Sequence, residues 1–214
     1  MKKKTLSVFT VAIGIIFSGY VAGSAPSVIS FEKQISLQQN PLADEWQTLR
    51  GQWSIVDGII QAKRNPAENN ANNLLMVQKE QIKNSSFSIS AKIKSLSTAK
   101  ANLVGVAFHV QDVDNYYAFR FNTSGEEGWA QLVRVVGGKA QQLAMKKHGG
   151  AIKENEFYTV KVSSSSPFVF NWSVTDSQGS IVLEGTSKDM LKTYTDGTTG
   201  LYTLAMGHFV DFSQ

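Results

Sequence analysis

The chain has 214 residues, a formal net charge of +4 from 21 Lys and Arg against 17 Asp and Glu, and no cysteine. Without thiols there are no disulfides, no thiolate metal centre and no lipidated cysteine anchor. Lys2, Lys3 and Lys4 carry three of the four net positive charges, so the remainder is close to neutral, at about +1. Its overall charge is therefore weak evidence for nucleic acid or any other polyanion as a partner.

Residues 1–25 differ in kind from the rest of the chain. The three-lysine head, the apolar run Leu6–Phe17 and the small residues Gly19, Ala22, Gly23, Ser24 and Ala25 have the layout of a secretory signal peptide. The apolar run falls short of the roughly 20 residues of a comfortable membrane span, although an uncleaved N-terminal anchor remains the alternative. Cleavage near Ser24 or Ala25 fits, with Pro26 disfavouring the bond just before it. The expectation is a secreted or periplasmic protein with no stable membrane span after cleavage, in which residues 26–214 form a single domain.

From there the chain reads as strand after strand. Asp44–Thr48 predicts a single helical turn. Gln52–Val56 and Ile59–Lys63 flank Asp57-Gly58, a two-residue hairpin signal. Ser86–Ile93 alternates Phe87, Ile89, Ala91 and Ile93 against Ser88, Ser90 and Lys92. Residues 103–110 and 116–122 are two runs rich in Val, Phe and Tyr around the polar loop Gln111–Asn115. In the second run Tyr117, Phe119 and Phe121 share one face, with Tyr116, Arg120 and Asn122 on the other. Trp129–Val136 leads through Gly137-Gly138 into Ala140–Met145. Glu156–Ser163, Phe168–Thr175, Ile181–Glu184, Gly200–Ala205 and His208–Phe212 complete the set, and Ser187–Leu191 predicts one more helical turn. Short strands at this spacing point to an all-β antiparallel sandwich.

One order of motifs carries a family resemblance. Phe31-Glu32, Trp46, Trp53 and the Val56-Asp57-Gly58 hairpin come first, then GVAFHVQDVDNYYAFRFN, LVRVVGG and the closing GLYTLAMGHFVDF of Gly200–Phe212. That order resembles the laminin-G-like, concanavalin A-like lectin/glucanase superfamily over nearly all of residues 30–212. The resemblance implies a jelly roll of two sheets, one of them concave. It also implies a structural calcium ion held by Glu32 and Asp211 with backbone carbonyls, hard oxygen donors of the kind calcium takes. The sequence has F-V-D-F where the family often has F-D-D.

Members of that superfamily bind glycans, cleave them or mediate adhesion, so residues must decide. Glycoside hydrolysis needs two carboxylates across the scissile bond, and the E-x-D-x-E pattern of glucanases of this fold is absent. Asp112 with Asp114, and Glu126 with Glu127, read as solvated turns. His148 in the KKHGG loop is explained by solvent exposure, and His208 reads as structural. Trp46 and Trp53 read mainly as packing residues. A lyase using His109, Tyr116 and Arg120 is the enzymatic alternative, and an adhesion domain without a sugar site is a third. Sugar binding asks for aromatic planes and fork-like donors. His109, Tyr116, Arg120, Asn122, Trp129, Gln131 and Arg134 supply those types. Tyr116, Arg120 and Asn122 share one strand face, Trp129 and Gln131 share a face of the next strand, and His109 is placed opposite across the hairpin. The reading is a non-catalytic, lectin-like module that holds an extracellular glycan on its concave sheet.

Overall fold

Two turn dipeptides set two hairpins. Asp57-Gly58, with φ of 51° and 75°, joins β2 (Gln52–Val56) to β3 (Ile59–Lys63), and Gly137-Gly138, with φ of 54° and 75°, joins β8 (Trp129–Val136) to β9 (Lys139–Lys147). Two successive left-handed residues give the turn a twist that matches the flanking strands. A third hairpin joins β6 (Val104–Asp112) to β7 (Asn115–Phe121). Its turn is held by the Asp112 carboxylate, which accepts from the Asp114 N–H at 2.8 Å and from Asn115 Nδ2 at 2.9 Å.

The computed structural model describes residues 45–63, 74–82, 86–204 and 207–213, all within the unit Ile35–Gln214. The remaining strands are β1 (Trp46–Arg50), β4 (Leu74–Ile82), β5 (Phe87–Ser95), β10 (Phe157–Ser166), β11 (Val169–Thr175), β12 (Ile181–Lys188), β13 (Gly197–Thr203) and β14 (Gly207–Ser213). They form two seven-stranded sheets, ordered β1-β4-β13-β6-β7-β8-β9 and β12-β11-β10-β5-β14-β3-β2. Every pairing among the described strands is antiparallel. The expected all-β antiparallel sandwich is the observed fold.

The core lies between the sheets. Tyr117, Phe119 and Phe121 of β7 meet Phe170, Trp172 and Val174 of β11, and Trp172 stacks on Phe119 with ring centroids 5.1 Å apart. Gly185 makes that stack possible: a Cβ there would fall 2.3 Å from Trp172 Cζ2. Trp46 packs edge-on to Phe212 and Trp53 lies 5.7 Å from Phe209, so both tryptophans are packing residues as expected. The first sheet also carries a second apolar cluster, on its other face, around Leu75, Ala107, Tyr116, Ala118, Val133 and Tyr202.

Two local expectations are corrected, and one strand is new. Residues Trp46–Arg50 are a strand paired to β4, where a helical turn was expected. Strand β4 itself was not foreseen. Strand β12 runs on through Ser187 to Lys188, and the expected turn is confined to 189–192, where the Lys192 N–H reaches the Asp189 carbonyl at 3.4 Å.

Candidate functional site

Alternation along β7 and β8 sends Arg120, Trp129 and Gln131 to the outward face of the first sheet, because Phe119, Phe121, Ala130 and Leu132 fill the core. Register then builds a row. Tyr202 pairs with Gly105, Gly105 with Arg120, and Arg120 with Gln131. Gly105 leaves that row open under the guanidinium, and no larger residue fits, since a Cβ would sit 1.9 Å from the Phe119 carbonyl oxygen. Arg120 spans the gap. Its Nη1 donates to the Tyr202 hydroxyl at 2.8 Å, and its Nε and Nη2 donate to Gln131 Oε1 at 3.2 and 2.9 Å. Gln131 Nε2 passes the chain on to Gln142 Oε1 at 2.8 Å.

The row is held in place yet not exhausted. A guanidinium has a fixed fork of N–H donors, and these contacts leave one N–H on each terminal nitrogen of Arg120 to offer to a ligand. Arg120 is half-buried, Gln131 is buried and Gln142 is exposed, so polar access increases towards β9. Trp129 is half-buried against the outward apolar cluster. Burial pushes the Tyr202 phenol above its ordinary pKa, against the opposing pull of Arg120, so it stays a neutral hydroxyl at physiological pH.

Not every expected site residue joins this row. Tyr116 is on the same face but fully buried, its ring 6.3 Å from that of Tyr202. His109 was expected opposite it and is not. The register of β6 on β7 breaks after Phe108, and His109 takes a φ of 48°. This bulge turns the imidazole into the core, against Phe87 at 4.9 Å and Phe108 at 5.7 Å. Desolvation lowers its pKa to about 4, with the Asp196 carbonyl and charge opposing.

Asn122 lies one residue beyond β7 and forms a buried corner: its Oδ1 accepts from the Trp129 N–H at 3.0 Å and its Nδ2 donates to the Lys100 carbonyl at 3.2 Å. His148 belongs to the same corner, with Nε2 2.9 Å from the Asn122 carbonyl, so the expectation of an exposed loop histidine is overturned. Arg134 points inward and pairs with Asp189. It shares parity with Ala130 and Leu132, which was a readable signal for burial. Gln142 and Tyr202 had no such signal, because their strands, KAQQLAMKK and GTTGLYT, do not alternate polar with apolar residues.

The carboxylates stand apart from the row. Strands β7, β8 and β9 contain no Asp or Glu. Glu126 and Glu127 lie in an exposed 3-10 turn, where Glu127 pairs with Lys100, as the solvated-turn reading expected. Glu32 and the side chain of Asp211 lie outside the described residues. Among the described residues, no three His, Cys, Asp or Glu side chains gather to hold a metal ion. No described helix is long and apolar enough to cross a membrane.

Comparison of the backbone places this architecture among known ones. The carbohydrate-binding module CBM66 from Bacillus subtilis superposes with a TM-score of 0.62 at 16% identity, over 78% of this chain and 93% of that one. The likeness is one of fold, an antiparallel sandwich of two sheets. A legume lectin-like domain from Entamoeba histolytica gives a TM-score of 0.59 at 11% identity, over 89% of this chain and 97% of its own. The xyloglucan-locus GH43B protein of Bacteroides ovatus gives 0.55 at 14% identity over 82% of this chain, but the match spans only 38% of that protein. No family model and no curated sequence matches the chain.

Proposed function

We propose that this chain is a secreted, non-catalytic carbohydrate-binding module that holds an extracellular glycan on the outward face of its first sheet. The observation that carries this reading is the Tyr202–Arg120–Gln131–Gln142 row with Trp129 beside it. Sugar hydroxyls need donors and acceptors fixed in advance, because ordering them on binding costs affinity. Here the guanidinium is anchored on two sides and still presents N–H groups outward, while the Gln142 amide and the Trp129 ring offer an adaptable polar partner and an apolar plane. The lectin-like and carbohydrate-binding-module architectures that the backbone resembles support the same reading. Hydrolysis in particular lacks its groups on this row, because β7, β8 and β9 carry no carboxylate of the kind that it requires.

The test is a screen of residues 26–214 on a panel of neutral and acidic glycans, reading both retained ligand and released sugar ends. Retention without new reducing or unsaturated ends is the expected result. Arg120→Ala should lose that retention, read well below the variant's unfolding temperature because the change also deprives the buried Gln131 and Tyr202 of a donor. Equal retention by the variant would remove Arg120 from the site, and released product would replace binding with catalysis.

A further inference from the structure

The second sheet also has an outward face, and it is built differently. Ile89, Ala91, Val160, Val162, Phe170 and Trp172 fill the core, so alternation turns the intervening residues of β5, β10 and β11 outward. Register aligns them into two rows across four strands. Ser90, Lys161, Ser173 and Glu184 form one, and Ser88, Ser163, Asn171 and Thr186 the next. The second row is knit by the Thr186 hydroxyl, which donates to Asn171 Oδ1 at 2.8 Å.

At the β12 edge a residue of the other sheet closes over them. Lys146 of β9 donates from Nζ to the Glu184 carbonyl at 3.2 Å. Between it and the two rows lies an open groove of about 630 Å³, floored in part by Gly185 and Trp172. Lys146 and Lys161 bring two positive charges to it and Glu184 one negative charge, and the other lining groups are hydroxyls and an amide. Farther along the same face Lys92 and Lys94 stand over the Phe157 ring, at 5.7 and 4.8 Å. The overall charge of the chain gave no hint of this local excess of lysine.

We propose that this groove is a second binding site, separate from the Arg120 face, and that it takes uronate residues of an acidic extracellular polysaccharide. Strands β10, β11 and β12 place Ser163, Asn171, Ser173 and Thr186 under the ligand, about 4.8 Å from one strand to the next, which suits a ring bearing hydroxyls. Lys146 and Lys161 meet the carboxylate. Lysine suits this task because a mobile point charge follows the carboxylates of a flexible polymer better than a fixed fork does. The lysines on the Phe157 side extend the attraction along the chain.

Polygalacturonate in a native affinity gel, beside an uncharged glucan, tests the site. The parent protein should be retarded by polygalacturonate at low salt and less so at high salt, since exposed charges are screened. Lys146→Gln and Lys161→Gln should each weaken retardation about tenfold, the scale of one charge-assisted hydrogen bond, without shifting the unfolding temperature. Lys146→Gln and Lys161→Gln should keep full affinity for a neutral glycan retained on the Arg120 face, so failure of the Arg120 site and failure of this one are read separately. Absence of retardation, or equal retardation of the parent and both lysine variants, would overturn the proposal. Equally strong retardation by single-stranded DNA would also overturn it, by showing a general polyanion surface instead of a sugar site.

Discussion

Arg134 and Asp189 form a buried ion pair that ties the two sheets together, with Nη1 2.7 Å from Oδ1 and both side chains almost wholly shielded from solvent. The arginine comes from β8 of the first sheet and the aspartate from the loop after β12 of the second. Asp189 also accepts from the Tyr117 hydroxyl at 2.5 Å and from the N–H groups of Leu191 and Thr193 at 3.0 and 3.1 Å. Burial works against ionisation of Asp189, but these donors outweigh it and hold the carboxyl below its ordinary range. Burial, together with the hydrogen bond to Asp189, raises the Tyr117 phenol well above its ordinary pKa.

The two partners should not be equally costly to remove. Asp189→Ala leaves a buried guanidinium with an unpartnered Nε and only two neutral acceptors, Thr193 Oγ1 and Gln141 Oε1, whereas Arg134→Met leaves a carboxylate that keeps three other donors. Breaking a buried pair from one side costs about 3–5 kcal/mol. Asp189→Ala should fall in that range and Arg134→Met below it, as read by urea unfolding. Equal losses would show that the donors around Asp189 do not hold its charge by themselves.

His109 sets the acid sensitivity of the core. The folded pKa is lowered from 6.5 to about 4. Above pH 6.5 the imidazole is neutral folded or unfolded and stability is full. As pH falls from 6.5 towards 4 the unfolded chain takes up a proton that the folded chain refuses, so stability declines, then levels off below the folded value. The decline amounts to about 3 kcal/mol, since each tenfold rise in acidity across this window costs about 1.4 kcal/mol. His109→Leu should make the decline between these limits shallower, leaving the part that His148 and His208 contribute, since burial lowers their pKa values as well. The contribution of Asp189 is lost only at lower pH, as its depressed carboxyl protonates, and should persist in that variant.

These contrasts show what was legible in the chain. Asp57-Gly58 and Gly137-Gly138 were readable because their turn geometry is chemical, and the split of Tyr117, Phe119 and Phe121 from Arg120 was readable because strand period is fixed. Strand β4 was not, for a physical reason: Leu75 and Val77 pack on the outward cluster while Met76 packs in the core. A strand apolar on both faces loses the alternation that announces it. His109 escaped because one left-handed residue outside a glycine shifts the parity of everything after it. Asp189 escaped because its partner lies 55 positions away, in a loop whose own composition suggests only a turn. Of the site, Arg120, Trp129 and Gln131 were legible by parity, and Gln142 and Tyr202 came only with the register.

Gly185 links the core to the sheet edge. Its missing side chain lets the Trp172 indole lie against β12 and stack on Phe119. Gly185→Ala places a methyl group where that ring already is, and overpacking of this kind costs about 1–3 kcal/mol. The variant should unfold at lower urea, and its tryptophan emission should shift as the indole leaves its stack. Unchanged emission with unchanged stability would mean that β12, an edge strand, simply moves outward.

Gln131 and Gln142 are bonded to one another yet should respond differently to truncation. Gln131 is buried, and its amide oxygen accepts from two nitrogens of Arg120. Gln131→Leu therefore leaves a half-buried cation short of partners, and should lower stability by about 1–3 kcal/mol as well as weaken glycan binding. Gln142 is exposed and contributes its amide oxygen to the row. Gln142→Ala should change stability by less than about 0.5 kcal/mol, because water replaces the oxygen that Gln131 loses. If Gln142 meets the ligand, calorimetric titration of the same variant should still show affinity reduced roughly fivefold, the worth of one neutral hydrogen bond. Loss of binding without loss of stability is the signature of a side chain that acts on the ligand directly. Full binding by Gln142→Ala would confine the recognition surface to Arg120 and Trp129 and move it away from β9.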